Sequence, residues 1–179
     1  LRRLSDLPAG GFLNRPSEIA QVLNKRGCKA LLVRCGVPVT HMYEEQFSCG
    51  EELLAFLREH RITQVFVKPV KGSGAAGVTA LRFSPGNDRI ALYTCAALKE
   101  GALYNTKRMY RLEGRKAEAF LDSLLKLDCV VERWYGKASF EGYCYDLRVI
   151  VQGGRIDYIL PRLSKGPITN LHLNNHAMA

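Results

Sequence analysis

The sequence predicts an α+β fold in which most of the sheet is antiparallel. Helical patterns dominate the chain before residue 62. Short β-branched or aromatic runs dominate after it, with one more helical stretch among them. Short loops join most neighbouring predicted strands, and such loops favour antiparallel pairing. Hydrophobic residues make up 47% of the chain and charged residues 24%, which indicates a folded globular protein rather than a disordered one.

The helices are predicted from terminal signals and apolar periodicity. Pro16 fits the first turn of a helix, and Gly36 ends a second helical stretch. Ser48 and Glu51 have the S-x-x-E spacing of a capping box at the start of a third helix. The predicted helices cover residues 16–26, 29–35, 48–61 and 117–127.

The strands are predicted from short runs of β-branched and aromatic residues. Turn chemistry over residues 84–88 separates two of them, and Gly153-Gly154 predicts a hairpin turn between the last two. Residues 99–116 are rich in Lys and Arg with weak periodicity, so we expect them to be irregular. The predicted strands cover residues 64–68, 78–83, 90–95, 129–135, 145–152 and 156–163.

The 179 residues suit one to two small domains. The chain has no initiator Met and stops soon after Asn170-Leu171-His172, so we expect it to be part of a longer protein. The expected segments are residues 1–15 as the end of a preceding domain or a linker, residues 16–61 as a helical start, residues 62–127 as a glycine-loop subdomain, and residues 128–179 as a second, incomplete subdomain.

The formal net charge of +9 fits either nucleic acid or a polyanionic small ligand such as a nucleotide. The basic residues are spread along the chain, and no RNA-recognition, zinc or helix-turn-helix pattern accompanies them, which argues against nucleic acid. No apolar run approaches a membrane span or a signal peptide. The six cysteines form no C-x-x-C pair, so we expect reduced thiols and a cytoplasmic protein.

A glycine-rich loop is the strongest chemical signal in the sequence. Lys68 precedes it, and the loop itself contains Gly72, Ser73, Gly74 and Gly77. Backbone amides in a loop without bulky side chains approach phosphate oxygens closely. Such a loop is also found in plain flexible hairpins, and on its own it leaves the two interpretations equally open.

Three phosphate-binding patterns compete for this loop. Its glycines fit G-x-G-x-x-G, but the dinucleotide fingerprint needs a helix at the loop, and residues 78–83 read as a strand. The Gly-Lys-Ser/Thr of a Walker A loop is absent. A glycine hairpin that covers the phosphates fits the strand–loop–strand order. The kinase version is excluded because no H-R-D or D-F-G motif follows.

Charged residues on later strands form the second part of the pattern. Glu132, Arg133 and Trp134 end an apolar strand that would suit an adenine ring, or else a sheet strand with an exposed ion pair. Asp146 and Arg148 lie on one strand face and fit either a ligand-facing pair or a cross-strand salt bridge. Further candidates near the C-terminal end are Arg162 and Asn170, and the Asn could equally cap a loop.

The ordered motifs resemble the ATP-grasp superfamily, and within it the branch of glutamate-ligase-like enzymes. The resemblance runs through most of residues 12–175. The motifs that carry it are Asn14-Arg15-Pro16, Asn24-Lys25, Gly36-Val37-Pro38-Val39-Thr40, Val67-Lys68-Pro69 with the glycine loop, Asp146-Leu147-Arg148, and Asn170-Leu171-His172.

The resemblance implies two small α+β subdomains that hold ATP between them, and an ATP-dependent ligase that joins a carboxylate to an amine or thiol through an acyl-phosphate. The carboxylate and the acceptor stay unidentified, and either could belong to a peptide or protein. Alternatives are a degenerate ATP-grasp protein that only binds nucleotide and a basic nucleic-acid-binding protein.

The resemblance also implies roles for individual residues. Lys25 and Lys68 would contact the phosphates, and the loop of Gly72, Ser73, Gly74 and Gly77 would close over them. The adenine-binding segment would be Glu132, Arg133 and Trp134, with Glu141 near the ribose and Asp146 facing the ligand. Arg148, Arg162 and Asn170 would surround the acyl-phosphate and the substrate.

The sequence departs from the pattern of this family in three places. Asn24 replaces the usual Asp beside Lys25, and Glu132 stands where Gln is common. The family binds Mg²⁺ through acids that include a Glu-x-Asn pair, and no acidic residue follows Asp157. We therefore expect the metal ligands beyond Ala179.

Overall fold

The computed structural model of this chain describes residues 14–170 and the backbone of residues 176–177. The expected segment at residues 1–15 and the end of the Asn170-Leu171-His172 motif therefore lie almost wholly outside the described residues. The helices are α1 Pro16–Leu23, α2 Lys25–Arg34, α3 Gly50–Glu59 and α4 Gly114–Leu125. The strands are β1 Gln64–Pro69, β2 Thr79–Ser84, β3 Arg89–Lys99, β4 Ala102–Glu113, β5 Cys129–Arg133, β6 Ser139–Phe140, β7 Tyr143–Gln152, β8 Arg155–Ser164 and β9 His176–Ala177.

The fold is α+β, as predicted, and every described strand pair is antiparallel. The larger sheet has five strands in the order β4-β3-β2-β1-β5, and the smaller has four in the order β6-β7-β8-β9. Because β5 pairs with β1, the chain leaves the first sheet after Arg133 rather than at the expected boundary before residue 128.

The core lies on one face of the larger sheet, beneath α3 and α4. Alternate residues of β1 point to opposite faces, so Val65 and Val67 are buried against the helices while Phe66 and Lys68 point away from them. The fully buried side chains of this core include Leu53, Leu57, Leu81, Leu92, Phe120, Leu121 and Leu124. The helices therefore cover one face of the sheet, and Phe66 and Lys68 lie on the other.

The expectation that residues 99–116 are irregular is wrong, because most of them form strand β4. It pairs with β3 along most of its length, with a register shift at Thr94/Ala96. It is an edge strand with few buried positions, so its side chains show no clean alternation of apolar and polar residues. Charged residues on an edge strand also discourage pairing with other chains.

Three helix starts differ from the sequence prediction. Helix α4 begins at Gly114 rather than residue 117. Helix α2 begins at Lys25 rather than residue 29, because the Asn24 side chain accepts a hydrogen bond from the Gly27 amide at 3.0 Å. Helix α3 begins at Gly50, and the partner of Ser48 is Glu52 rather than Glu51. The Ser48 amide and hydroxyl lie 2.7 and 2.9 Å from the Glu52 carboxylate.

The smaller sheet is built around the β7–β8 hairpin, whose turn at Gly153-Gly154 is confirmed. Both glycines have positive φ, at 56° and 76°, which favours glycine there. The hairpin register sets Asp146 opposite Arg162. Within residues 14–170, no helix combines the length and the apolar character needed to cross a membrane.

Candidate ligand-binding cleft

A cleft of about 460 Å³ lies where the two sheets meet. Seven of the residues singled out in the sequence line it: Lys25, Lys68, Glu132, Arg133, Asp146, Arg162 and Asn170. The glycine loop contributes Ala75 and Val78. Five cationic and two acidic side chains line the cleft, a formal excess of three positive charges. The cleft is therefore suited to an anionic ligand.

Glu132 forms the centre of the wall on the larger sheet. It is 4% exposed, and one of its carboxylate oxygens lies 2.8 Å from Lys68 Nζ and 3.1 Å from Lys29 Nζ. The Thr40 hydroxyl donates to the same oxygen at 3.2 Å. Burial raises the pKa of Glu132, but the charges and hydrogen bonds of Lys68 and Lys29 outweigh it and hold the pKa below its usual value.

Lys29 was not among the residues predicted from the sequence. Its ammonium also donates to the Thr40 carbonyl at 2.8 Å and to the Thr40 hydroxyl at 2.7 Å. It therefore ties the extended segment after α2 to Glu132. Burial lowers its pKa, although the negative charge of Glu132 acts in the opposite direction and raises it.

Lys25 supports the base of the glycine loop. Its ammonium donates to the Pro69 carbonyl at 2.8 Å and to the Gly72 carbonyl at 3.1 Å, and its backbone amide donates to Val70 at 2.9 Å. Burial, and then the nearby charge of Lys68, lower the pKa of Lys25. The start of α2 and the start of the loop are thus held together at the edge of the cleft.

The glycine loop connects β1 to β2 in an antiparallel hairpin, so the predicted strand–loop–strand order is confirmed. No helix begins at the loop, which agrees with the rejection of the dinucleotide fingerprint. Positive φ values occur at Gly72, Gly74, Ala75 and Gly77. Of the predicted loop residues, Gly72, Ser73, Gly74 and Gly77 lie beside the cleft lining rather than in it.

Replacing Gly77 by Ala should destabilise the protein by about 1–3 kcal/mol. Gly77 has φ +66°, and an added Cβ would lie 2.8 Å from Pro69 Cγ. Gly101→Ala is the matched control, since Gly101 has φ +77° with nothing within 4 Å of an added Cβ. Urea denaturation measures both free energies of unfolding. Equal losses for the two variants would contradict the contact with Pro69.

Asp146 forms the centre of the opposite wall. Arg162 donates to both of its oxygens, from Nε at 2.7 Å and from Nη2 at 2.9 Å. Thr169 donates a short hydrogen bond to Asp146, and Lys137 Nζ lies 3.5 Å away. Burial raises the pKa of Asp146, but the hydrogen bonds of Arg162 and Thr169 and the charge of Lys137 outweigh it and lower the pKa.

The geometry shows the ion pair of Asp146, which also lines the cleft. It forms a cross-strand salt bridge, and the partner is Arg162 rather than Arg148. Lys137 is a further cleft residue that the sequence did not reveal. Its ammonium lies 2.5 Å from the Thr169 hydroxyl, and its pKa is lowered first by burial.

Besides the four loop residues, three predicted site residues lie outside the cleft lining. Arg148 and Glu141 are exposed, and Glu141 occupies a turn with φ 48°. Trp134 is 8% exposed and packs against Phe66, with ring centroids 5.2 Å apart. Its indole faces a neighbouring pocket rather than the cleft.

Acid should weaken the fold through the two paired carboxylates. Both Glu132 and Asp146 have lowered pKa values in the folded protein, so their stabilisation is complete above the unfolded pKa values. It is lost as the pH falls below about 4. Thermal melts between pH 7 and pH 3 measure this, and Glu132→Gln should flatten the profile. An unchanged profile for this variant would contradict the role of Glu132.

Within residues 14–170, no group of three or more His, Cys, Asp and Glu side chains lies close enough together to hold a metal ion. Comparison of the chain with protein-family models, with curated proteins and with solved structures gives no match. The fold and the site together define an α+β protein with two antiparallel sheets and a basic cleft between them.

Proposed function

We propose that the cleft binds ATP and that the chain is the nucleotide-binding part of an ATP-grasp ligase. One observation carries the proposal. A glycine hairpin, two lysines and two acid–cation clusters, far apart in the sequence, converge on a single positively charged cleft. Their order along the chain is the order of the motifs that resemble the family.

The cleft suits both ends of a nucleotide. Phe66, Val78 and Ile168 offer apolar contact for a planar base. Lys25 and Lys68 offer positive charge beside a loop whose backbone amides can approach phosphate oxygens. A volume of about 460 Å³ falls within the range of small-molecule sites, roughly 300–1,000 Å³.

Bound ATP would transfer its γ-phosphoryl group to a carboxylate, giving an acyl-phosphate and ADP. An amine or thiol would then attack the acyl carbon and release inorganic phosphate. The protein contributes position and charge neutralisation, since phosphoryl transfer needs little covalent help. Lys68 and Arg162 are the cations best located for this task, one on each wall. Each is already paired with a carboxylate, so each is oriented before a ligand arrives.

The two carboxylates of the cleft do not fit Mg²⁺. Nucleotide-bound Mg²⁺ needs one or two carboxylates together with phosphate oxygens. Asp146 accepts hydrogen bonds on both oxygens, and Glu132 is bound by two lysines. The metal that the resemblance implies would need ligands beyond this cleft.

The test is calorimetric titration with a non-hydrolysable ATP analogue, with and without Mg²⁺. Tripolyphosphate and adenosine are titrated separately, so that the contributions of phosphates and base are distinguished. We expect micromolar binding of the analogue and weaker binding of each part. Absence of binding contradicts the proposal. Binding without ligase turnover in a screen of carboxylates and amines favours the degenerate alternative, and salt-sensitive binding of oligonucleotides alone favours the nucleic-acid alternative.

A further inference from the structure

A second pocket of about 370 Å³ adjoins the cleft. The two share Gly136, Lys137 and Pro167, so they meet where the chain passes from one sheet to the other. The second pocket opens on the face of the larger sheet opposite the helices, at Arg82 and Tyr93. None of the roles implied by the sequence motifs falls on these two residues.

The charged residues that line this pocket are all basic. It contains Arg82, Lys137 and Lys165 but no Asp or Glu. Lys137 already contacts Asp146 in the cleft. Among the described residues, neither Arg82 nor Lys165 has a carboxylate partner, whereas Arg58 and Arg111 each have one. The hydrogen-bond donors of Arg82 are therefore available to a ligand.

The guanidinium of Arg82 lies over two aromatic rings. Its central carbon lies 5.0 Å from the ring centroid of Trp134 and 5.9 Å from that of Tyr93. Stacking against aromatic rings holds the planar group by its faces and leaves the N–H donors at its edge. A guanidinium presented in this way is suited to a carboxylate, which it binds with two parallel hydrogen bonds.

The aromatic side chains argue against a nucleic-acid base as the occupant. Trp134 is 8% exposed, with Phe66 packed against it and Arg82 beside its ring. Tyr93 has Arg82 and Arg111 within 5.9 Å of its ring centroid. Binding of single strands relies on aromatic rings on which bases can stack. Here arginine side chains lie over both rings, so the pocket favours an anion without a base.

We propose that this pocket binds the carboxylate side chain of an acidic peptide segment. Arg82 supplies the bidentate donor, and Lys165 adds a second positive charge at the same pocket. Because the pocket shares residues with the cleft, the peptide would lie beside the ligand of the cleft. The inference rests on the geometry of the pocket and does not depend on nucleotide binding.

The test uses a hexaglutamate peptide as the probe, with hexaglutamine as the uncharged comparison. Calorimetry gives the dissociation constant, and the fluorescence of Trp134, the single tryptophan of the chain, locates the peptide. We expect hexaglutamate to bind and to change the fluorescence, and Arg82→Gln to weaken binding at least tenfold. Arg82→Lys keeps the charge but loses the planar group, so its loss should be intermediate.

Arg58→Gln is the matched control. Arg58 also lies over an aromatic ring, at 5.8 Å from that of Phe83, but it is paired with Asp88 and lines a different pocket. It should change the dissociation constant less than twofold. Thermal melting checks that the variants fold. If Arg82→Gln does not fold, Lys165→Ala serves instead, since Lys165 is exposed, and a loss of at least threefold is expected.

Three results would overturn the proposal. The first is no binding of hexaglutamate. The second is an equal loss of affinity for Arg58→Gln and Arg82→Gln, which would reflect only the net charge of +9. The third is displacement of the peptide by an oligouridylate at lower concentration than by free hexaglutamate. A failure of nucleotide binding with intact peptide binding would contradict only the function proposed for the cleft.

Discussion

Replacing Lys68 by Ala should weaken binding of the ATP analogue by about 10- to 100-fold, because a hydrogen bond to a charged group contributes about 1.5–3 kcal/mol. Lys68 lines the cleft, and its side chain is 24% exposed, so a ligand can reach it. Calorimetric titration of the variant and the wild type at the same ionic strength measures the effect.

Lys99→Ala is the control for this prediction. Lys99 ends β3, its side chain is 75% exposed, and it does not line the cleft. The control removes the same charge, so it accounts for the general attraction of a basic protein for an anion. If the wild type and Lys68→Ala are both folded and bind the analogue with equal affinity, Lys68 does not contribute to the site.

Replacing Glu132 by Ala should lower the free energy of unfolding by about 3 kcal/mol, the cost expected when one partner of a buried ion pair is removed. The variant leaves Lys29 and Lys68, with side chains 15% and 24% exposed, facing each other without a counter-charge. Burial of unpaired charge is costly, and this cost dominates the effect. Urea denaturation at pH 7 measures it.

Glu113→Ala is the matched control for Glu132→Ala. Glu113 also pairs with a cation, Arg111, at 2.5 Å, but the side chains are 58% and 62% exposed. Exposed pairs contribute at most about 1 kcal/mol. A double-mutant cycle between Glu132 and Lys29 then isolates their coupling. Similar losses in the free energy of unfolding for Glu132→Ala and Glu113→Ala would mean that Glu132 is as well solvated as a surface residue.

The elements with strong local signals could be predicted from the sequence. The Gly153-Gly154 hairpin and the strand–loop–strand order around Gly77 depend on turn residues that act within a few positions. The core helix α4 has its apolar residues on one helical face, and its predicted and observed ranges overlap closely. Local chemistry determines these elements, so they can be predicted from a single sequence.

The features that could not be predicted from the sequence depend on contacts between residues far apart in the chain. Lys29 and Lys137 enter the cleft through contacts with Glu132 and Asp146, and nothing in their local sequence distinguishes them from surface lysines. Strand β4 escaped prediction because both of its faces are partly exposed. Arg82 becomes notable only when the fold brings Trp134 beside it.

Cys95 connects the glycine loop to the sheet beneath it. Its thiol is fully buried at the register shift between β3 and β4, and its sulfur lies 3.1 Å from the Ala75 carbonyl and 3.1 Å from Asn105 Oδ1. Burial raises the pKa of this thiol, so it is protonated and unreactive while the loop is closed. The rate at which an alkylating reagent modifies Cys95 therefore measures how often the loop opens, and any ligand that holds the loop closed will slow that reaction in proportion to its occupancy.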